Sequence, residues 1–325
     1  MSVGDWRPAA GLDVIRARAA MLARARQYFA AQDVLEVQTP VLSSAATSDP
    51  AIESLEARSA GDTRHFLHTS PEFAMKRLLA AGVGDCYQIC PVFRDGESGR
   101  LHNPEFTMME WYRLDFGVPE MQQDIDRLLR VACGELRSFA STRSITYRDA
   151  IASACGLELR SAAIADIREA LAAAGVEPAD TDDWDHDTWL DLLMGAVVIP
   201  RLGHDGPVFV NDYPASQAAL ARLGRAQDGA TVALRFELFI DGLEIANGFS
   251  ELGDAREQRR RFDLDVATRR RRGQAVNPVD ARLLAALEHG LPDCAGAALG
   301  FDRLVMVALK LPSLADAIPF PAGRA

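Results

Sequence analysis

Apolar residues recur at helical spacing from residue 11 to 32. Ile15, Leu22 and Phe29 stand seven apart with Val14, Met21 and Tyr28 beside them, while Arg16, Arg18, Arg24 and Arg26 fall elsewhere. This predicts an amphipathic helix with a basic outer face. The chain then enters a short strand at Val34, Leu35 and Val37, which Pro40 stops because proline brings no N–H to a ladder. "HFLHT" reads as a further strand. Ser70 can cap a helix with Pro71 and Glu72 in its first turn, and Gly82 or Gly84 ends it. "CYQICPVFR" is a strand, and "NPEFTMMEWYRLDF" alternates Phe106, Met108, Glu110 and Tyr112 against Thr107, Met109 and Trp111. Residues 93–112 therefore form a long hairpin.

The pattern changes between about 120 and 205. "MQQDIDRLLRVACGEL", "IADIREALAAAG" and "DTWLDLLMGAVV" are helical, and the acidic run "EPADTDDWDHD" joins them as a solvated loop. Strands resume at "PVFVNDYP". "VALRFELFIDGLEIANGFSEL" is a hairpin about an Asp241-Gly242 turn. "DAREQRRRFDLDVATRRRRG" is a charged helix ending at Gly273, with Arg269 to Arg272 at an exposed end, and "CAGAALGFDRLVMVAL" runs from a small-residue strand through Gly300 into a helix. The expected architecture is α+β: one domain over 1–325, a mostly antiparallel sheet flanked by helices, with a helical insertion at about 120–205.

Composition narrows the chemistry. At 325 residues, 48% hydrophobic and 25% charged, the chain can bury a large core. Its 46 acidic against 35 basic residues give a net charge of −11, which argues against broad contact with nucleic acid. No apolar run reaches the ~18 to 20 residues of a membrane span, and "MSVGDWRPAAG" lacks the order of a signal peptide, so a cytoplasmic protein is expected. Five cysteines without a CxxC pair, and histidines without metal spacing, suggest buried core residues rather than disulfides or zinc.

Three separated segments carry candidate chemistry. Arg94 leaves one strand of the 93–112 hairpin as a planar fork suited to phosphate, although a strand-end arginine also suits a surface ion pair, and Phe106 offers a ring face to a base. Glu237, Glu244 and Glu251 recur every seven residues, and the Asp-Gly turn brings Glu237 and Glu244 together from opposite arms. Such carboxylates suit Mg²⁺, or a cross-strand pair stabilised by basic neighbours. Arg303, just past Gly300, is a second phosphate clamp.

Together these segments resemble the class II aminoacyl-tRNA synthetases, and within them the lysyl enzymes. Helix-strand-proline at 15–40 looks like the first class motif, "FRDGESGRLHNPEFTMMEWY" like the second and "ALGFDR" like the third, while "HNPEFTMMEWY" and "EIANGFSEL" point to the lysine branch. The resemblance covers nearly the whole chain and implies the class II catalytic fold and a homodimer. It implies that ATP meets Arg94, Asp95, Gly96, His102, Asn103, Phe106, Glu244, Ile245, Gly300 and Arg303, with Arg94 on the α-phosphate, Phe106 on adenine and Arg303 on the γ-phosphate. It puts Mg²⁺ on Glu237 and Glu244, and the amino acid against Ser70, Pro71, Glu72, Glu110, Tyr112, Asn247, Glu251 and Ala298.

Two departures stand out. The second motif usually reads Phe-Arg-x-Glu, whereas Asp95 and Gly96 here separate Arg94 from Glu97. The third usually begins with glycine where this chain has Ala298, whose methyl could favour a β-amino acid. The chain starts almost at the first motif, without the anticodon-binding barrel of lysyl-tRNA synthetases, and tRNA is not expected as a partner. The expectation narrows to the paralogous branch that activates (R)-β-lysine with ATP and joins it to a lysine of elongation factor P. A compact tRNA-charging enzyme, an amide synthetase of the aspartate branch and a non-catalytic subunit are the rivals.

Overall fold

The computed structural model describes residues 6–179 and 184–325, and residues 180–183 of the acidic run expected as a loop lie outside them. Two compact units divide the chain: Met1–Ser138 with Glu251–Ala325, and Phe139–Ser250 between them.

The first unit opens with α1 (Leu12–Ala31), β1 (Leu35–Glu36), β2 (Leu42–Ser43), β3 (Glu56–Arg58), β4 (Arg64–Leu67), α2 (Glu72–Ala80), β5 (Cys86–Phe93), β6 (Glu105–Leu114) and α3 (Val118–Cys133). The second holds β7 (Arg143–Thr146), α4 (Tyr147–Cys155), α5 (Ile164–Ala173), α6 (His186–Leu193), β8 (Val208–Pro214), β9 (Leu223–Arg225), β10 (Thr231–Ile240) and β11 (Leu243–Ser250). The chain returns to the first with α7 (Ala255–Arg271), α8 (Ala281–His289), β12 (Cys294–Gly300) and α9 (Phe301–Ala308).

In the first unit β1 runs parallel to β5, β5 antiparallel to β6, and β6 antiparallel to β12. The alternation of β6 fixes its faces. Trp111 goes to the side of α1 and α3, where its indole N–H donates to Asp124 and its ring lies 5.6 Å from Phe29. Glu110 and Tyr112 go to the other side. Cross-strand register aligns Gln88 and Ala298 with Glu110, and Cys86 and Gly296 with Tyr112, so all of these share one face.

The basic outer face expected of α1 holds only in part. Arg18 turns inward to pair with Asp302 and donates to Thr107 Oγ1 at 2.7 Å. Arg24 donates to the Ala132 carbonyl at 2.6 Å, satisfying oxygens that the last turn of α3 leaves open. Arg269 likewise is not at an exposed end. It is 1% exposed, pairs with Glu53 at 2.5 Å and donates to the Asp49 carbonyl at 2.7 Å.

In the second unit β10 pairs antiparallel with β8, β9 and β11, and β7 runs parallel to β8. Asp241 and Gly242 have φ of 52° and 73°, the mirror-image turn that matches strand twist. α4, α5 and α6 bury Ile151, Leu171 and Leu190 in an apolar core with Val210 and Phe239 of the strands. The four cysteines at 86, 90, 133 and 294 are buried and all five are free. Burial pushes the Cys86, Cys90 and Cys133 thiols up to about 12, which leaves them unreactive.

Candidate active site

One face of the first unit's sheet carries the buried Glu110 and Glu251, with the half-buried Glu72 beside them. Glu72 is the first residue of α2, Glu110 lies on β6, and Glu251 follows β11, tied to β12 by its backbone N–H to the Cys294 carbonyl at 3.0 Å. Glu110 and Glu251 are 3% and 2% exposed. Ser70 Oγ donates to Glu110 Oε2 at 2.7 Å and accepts from the Glu72 N–H at 3.0 Å, so one hydroxyl both caps α2 and orients the acid. The Tyr112 hydroxyl donates to Glu110 Oε1 at 2.7 Å. Pro71 fixes the entry to the helix with φ −74°.

Lys76 completes the set, and no motif points to it. It stands four residues after Glu72 on the same helix face, 1% exposed, with Nζ 2.7 Å from Glu72 Oε1 and 2.5 Å from Glu251 Oε2. Burial alone would lower the Lys76 ammonium, but Glu251 and Glu72 outweigh it and the net shift is upward. The acids shift as well. Burial, with repulsion from Glu72, pushes Glu110 up to about 8. Glu251 reaches about 7 through burial, held back by Lys76.

Two more positions could be found only from the register. A Cβ on Gly296 would overlap the Tyr112 ring, 2.5 Å from Cε1, and would crowd Glu251 Oε1, so glycine is required where these side chains cross the strand. Gln88, opposite Glu110, has a buried Oε1 with no partner. An unpaired acceptor among acids suits a ligand that donates hydrogen bonds. Ala298, also opposite Glu110, packs with Phe106 against the cluster of Cys90, Val92 and Met108.

Farther along the same face of β6, four residues or about 13 Å from Glu110, lies Phe106. The Arg94 guanidinium sits 5.2 Å from its ring, Nε is buried without a partner, and the contact to Glu97 is loose at 3.5 Å. The displaced motif acid thus turns back toward Arg94. Asp95 accepts the Gly96 N–H at 2.9 Å, and Gly96 takes φ 75° to make the turn. Arg303, in the first turn of α9, lies 2.9 Å from His102 Nε2. The preceding Asp302 accepts the Thr107 N–H at 2.7 Å and pairs with Arg18, locking the Gly300 junction to β6. Asn103 donates to the Glu105 carbonyl at 2.5 Å and accepts the Ala322 N–H at 2.9 Å, so its side chain holds the loop.

The second unit carries Glu237, Glu244, Ile245 and Asn247 on the β10–β11 hairpin. Glu237 pairs with Asn247, and Phe239 with Glu244, because a bulge at Ile245 shifts the register. The bulge places Asn247 on the face of the two glutamates, which are diagonal rather than directly opposed. Asn247 Oδ1 is buried without a partner. Glu237 pairs with Arg235 of its own strand; burial raises its carboxyl most, Arg235 pulls it back, and Glu244 adds repulsion. Glu237 and Arg235 also line a cavity of about 150 Å³ with Tyr147, Tyr213 and Gln217. The donor set fits Mg²⁺ as a partial shell: two carboxylates, with no group of three His, Cys, Asp or Glu able to hold a metal among the described residues. Magnesium characteristically takes its remaining oxygens from water and nucleotide phosphate.

A paired set of buried acids on an antiparallel sheet, flanked by an arginine-bearing hairpin and a strand-to-helix arginine, is matched by comparison with known families. The model for tRNA synthetases class II (D, K and N) matches residues 3–324, and the chain belongs to that family. Among curated proteins it is similar to the elongation factor P–(R)-beta-lysine ligase of Yersinia enterocolitica serotype O:8 / biotype 1B, 43% identical over 327 residues, 99% of this chain and 98% of that protein. The proteins of the same name from Salmonella gallinarum and Salmonella enteritidis PT4 are each 43% identical over 326 residues, covering 98% of both chains. No helix among the described residues is long and apolar enough to cross a membrane.

Proposed function

We propose that this chain is an ATP-dependent ligase that activates (R)-β-lysine as an acyl-adenylate and transfers it to the ε-amine of a lysine of elongation factor P. One observation carries the amino-acid side: the buried Glu110 and Glu251 and the half-buried Glu72, set beside Ser70, Tyr112 and the unpaired Gln88 oxygen, form an acidic pocket suited to ammonium groups. The names and coverage of the curated relatives support the acceptor.

In this reading the amino acid's carboxylate attacks the α-phosphorus of ATP in line. An oxygen–phosphorus bond forms, the α–β bridge breaks and pyrophosphate leaves. Arg94 meets the charge on the transferring phosphoryl group, Phe106 stacks on the base and Arg303 takes the terminal phosphate. His102 steadies Arg303, and Asp95, Gly96, Ile245 and Gly300 border the nucleotide. Glu237 and Glu244 would hold Mg²⁺, which neutralises phosphate charge when bound. The family resemblance would put Asn247 and Ala298 against the amino acid as well. The acceptor amine, deprotonated from a reference pKa near 10.4, then attacks the acyl carbon and displaces AMP.

The test is pyrophosphate exchange dependent on a diamino acid. Wild type supports it and Arg94→Ala drops it at least ~100-fold, the scale of removing one transition-state charge contact. Near-normal exchange in Arg94→Ala would overturn the assignment. The homodimer implied by the first motif belongs to the same reading and is checked by sedimentation.

A further inference from the structure

We propose that Lys76 is the internal counter-ion of the amine pocket: it holds Glu72 and Glu251 apart as oriented acceptors and, once all three acids are ionised around the ligand, leaves the cluster two negative charges, matched to a substrate with two ammonium groups. The inference rests on the reading above and adds a positioning residue, since Lys76 acts through the two acids rather than on the reacting atoms.

Its position supports the role. A 1%-exposed lysine is among the costliest groups to bury, and it persists only with close partners. Lys76 has two, Glu72 at 2.7 Å and Glu251 at 2.5 Å, on different elements of the unit. A stabilising salt bridge alone would need one acid, and a buried pair contributes little net stability over apolar replacements. Three acids and one ammonium form an unbalanced cluster, and the imbalance is what a dication would complete. The third acid, Glu110, receives its hydrogen bonds from Ser70 and Tyr112, both neutral, and no cation among the described residues is paired with it. Lys76 therefore divides the cluster into two acids pre-oriented by an ammonium and one left to a ligand.

Selectivity follows. A mono-ammonium analogue of similar length leaves one of the two charges unmatched in a water-poor pocket. Without Lys76, Glu72 and Glu251 repel, one takes up a proton, and both lose their fixed orientation.

The experiment compares wild type, Lys76→Met and Lys76→Arg in pyrophosphate exchange from pH 6 to 8.5, with (R)-β-lysine, α-lysine and norleucine as amino acids. Lys76→Met is expected to raise the KM of the diamino acid at least tenfold, to change the KM of ATP less than twofold, and to move the acid limb of the kcat/KM profile upward in pH. Lys76→Arg keeps the charge and is expected to leave that limb in place while raising KM; it also serves if Lys76→Met does not fold. A profile unmoved in Lys76→Met, or equal losses for ATP and amino acid, would reduce Lys76 to packing and overturn the inference. Absence of diamino-acid-dependent exchange in wild type would instead sink the functional reading.

Discussion

Glu110 and Glu251 titrate where a carboxyl ordinarily does not, at about 8 and about 7, because burial and neighbouring Glu72 penalise their charged forms. A carboxyl raised on folding contributes stability that is present below its ordinary range and lost as pH rises through the folded value. The ligand-free protein should therefore lose thermal stability as pH rises from about 4.5 to about 8, and a saturating diamino acid should suppress that loss by supplying the missing cations to Glu72, Glu110 and Glu251 beside Lys76. Melting curves with and without substrate check this, and a pH-independent apo melting temperature would contradict it. Two substitutions probe shape. Gly296→Ala should abolish amino-acid binding while ATP still binds, as measured by titration calorimetry, because the new methyl meets the Tyr112 ring. Ala298→Gly should shift preference toward α-lysine by ~10 to 200-fold in kcat/KM, the worth of one methylene-sized contact; an unchanged ratio would make the methyl mere packing. The acids themselves were legible in the sequence through their motifs. Lys76, Gln88 and Gly296 were not, because each matters only through a partner that the register brings opposite it.

Among the elements, those with one strong local signal were read correctly. The alternation of β6, the Asp241-Gly242 turn and the Gly300 junction into α9 all lie where hydrophobic period and turn chemistry put them. What sequence missed was set at a distance. Arg18 and Arg24 were counted with the outer face of α1, but Asp302 and the open carbonyls of α3 draw them in. The bulge at Ile245, which aligns Asn247 with Glu237, has no composition signal, and the three-residue β9 and four-residue β7 are too short to carry a period. Asp302 gives the test at this scale. It is 2% exposed and joins α1, β6 and α9, so Asp302→Ala strands the Arg18 charge and should cost about 3 to 5 kcal/mol in urea unfolding. A loss below about 1 kcal/mol, as for exposed pairs, would show that the junction does not depend on it.

Across the whole molecule, a charge of −11 disfavours extended contact with RNA and leaves phosphate recognition to local groups. In the proposed reading the hairpin carboxylates would supply only part of a magnesium shell, so Mg²⁺ should bind saturably in the presence of a non-hydrolysable ATP analogue and not without nucleotide, and Glu237→Gln with Glu244→Gln should remove the effect. Saturable binding to the nucleotide-free protein would point to a metal cage the hairpin does not provide. The chain's class was legible because several motifs spread along it agreed. The acceptor was reached only through the resemblance to one branch, since a residue pattern describes the pocket that faces the amino acid and says little about the macromolecule that receives it. The most direct measurement is the intact mass of elongation factor P after incubation with the protein, ATP and (R)-β-lysine, with lysine-accepting tRNA present as competitor. One added lysyl residue on elongation factor P, in an alkali-stable amide, and no charged tRNA are expected; an unmodified factor alongside charged tRNA would contradict the ligase reading.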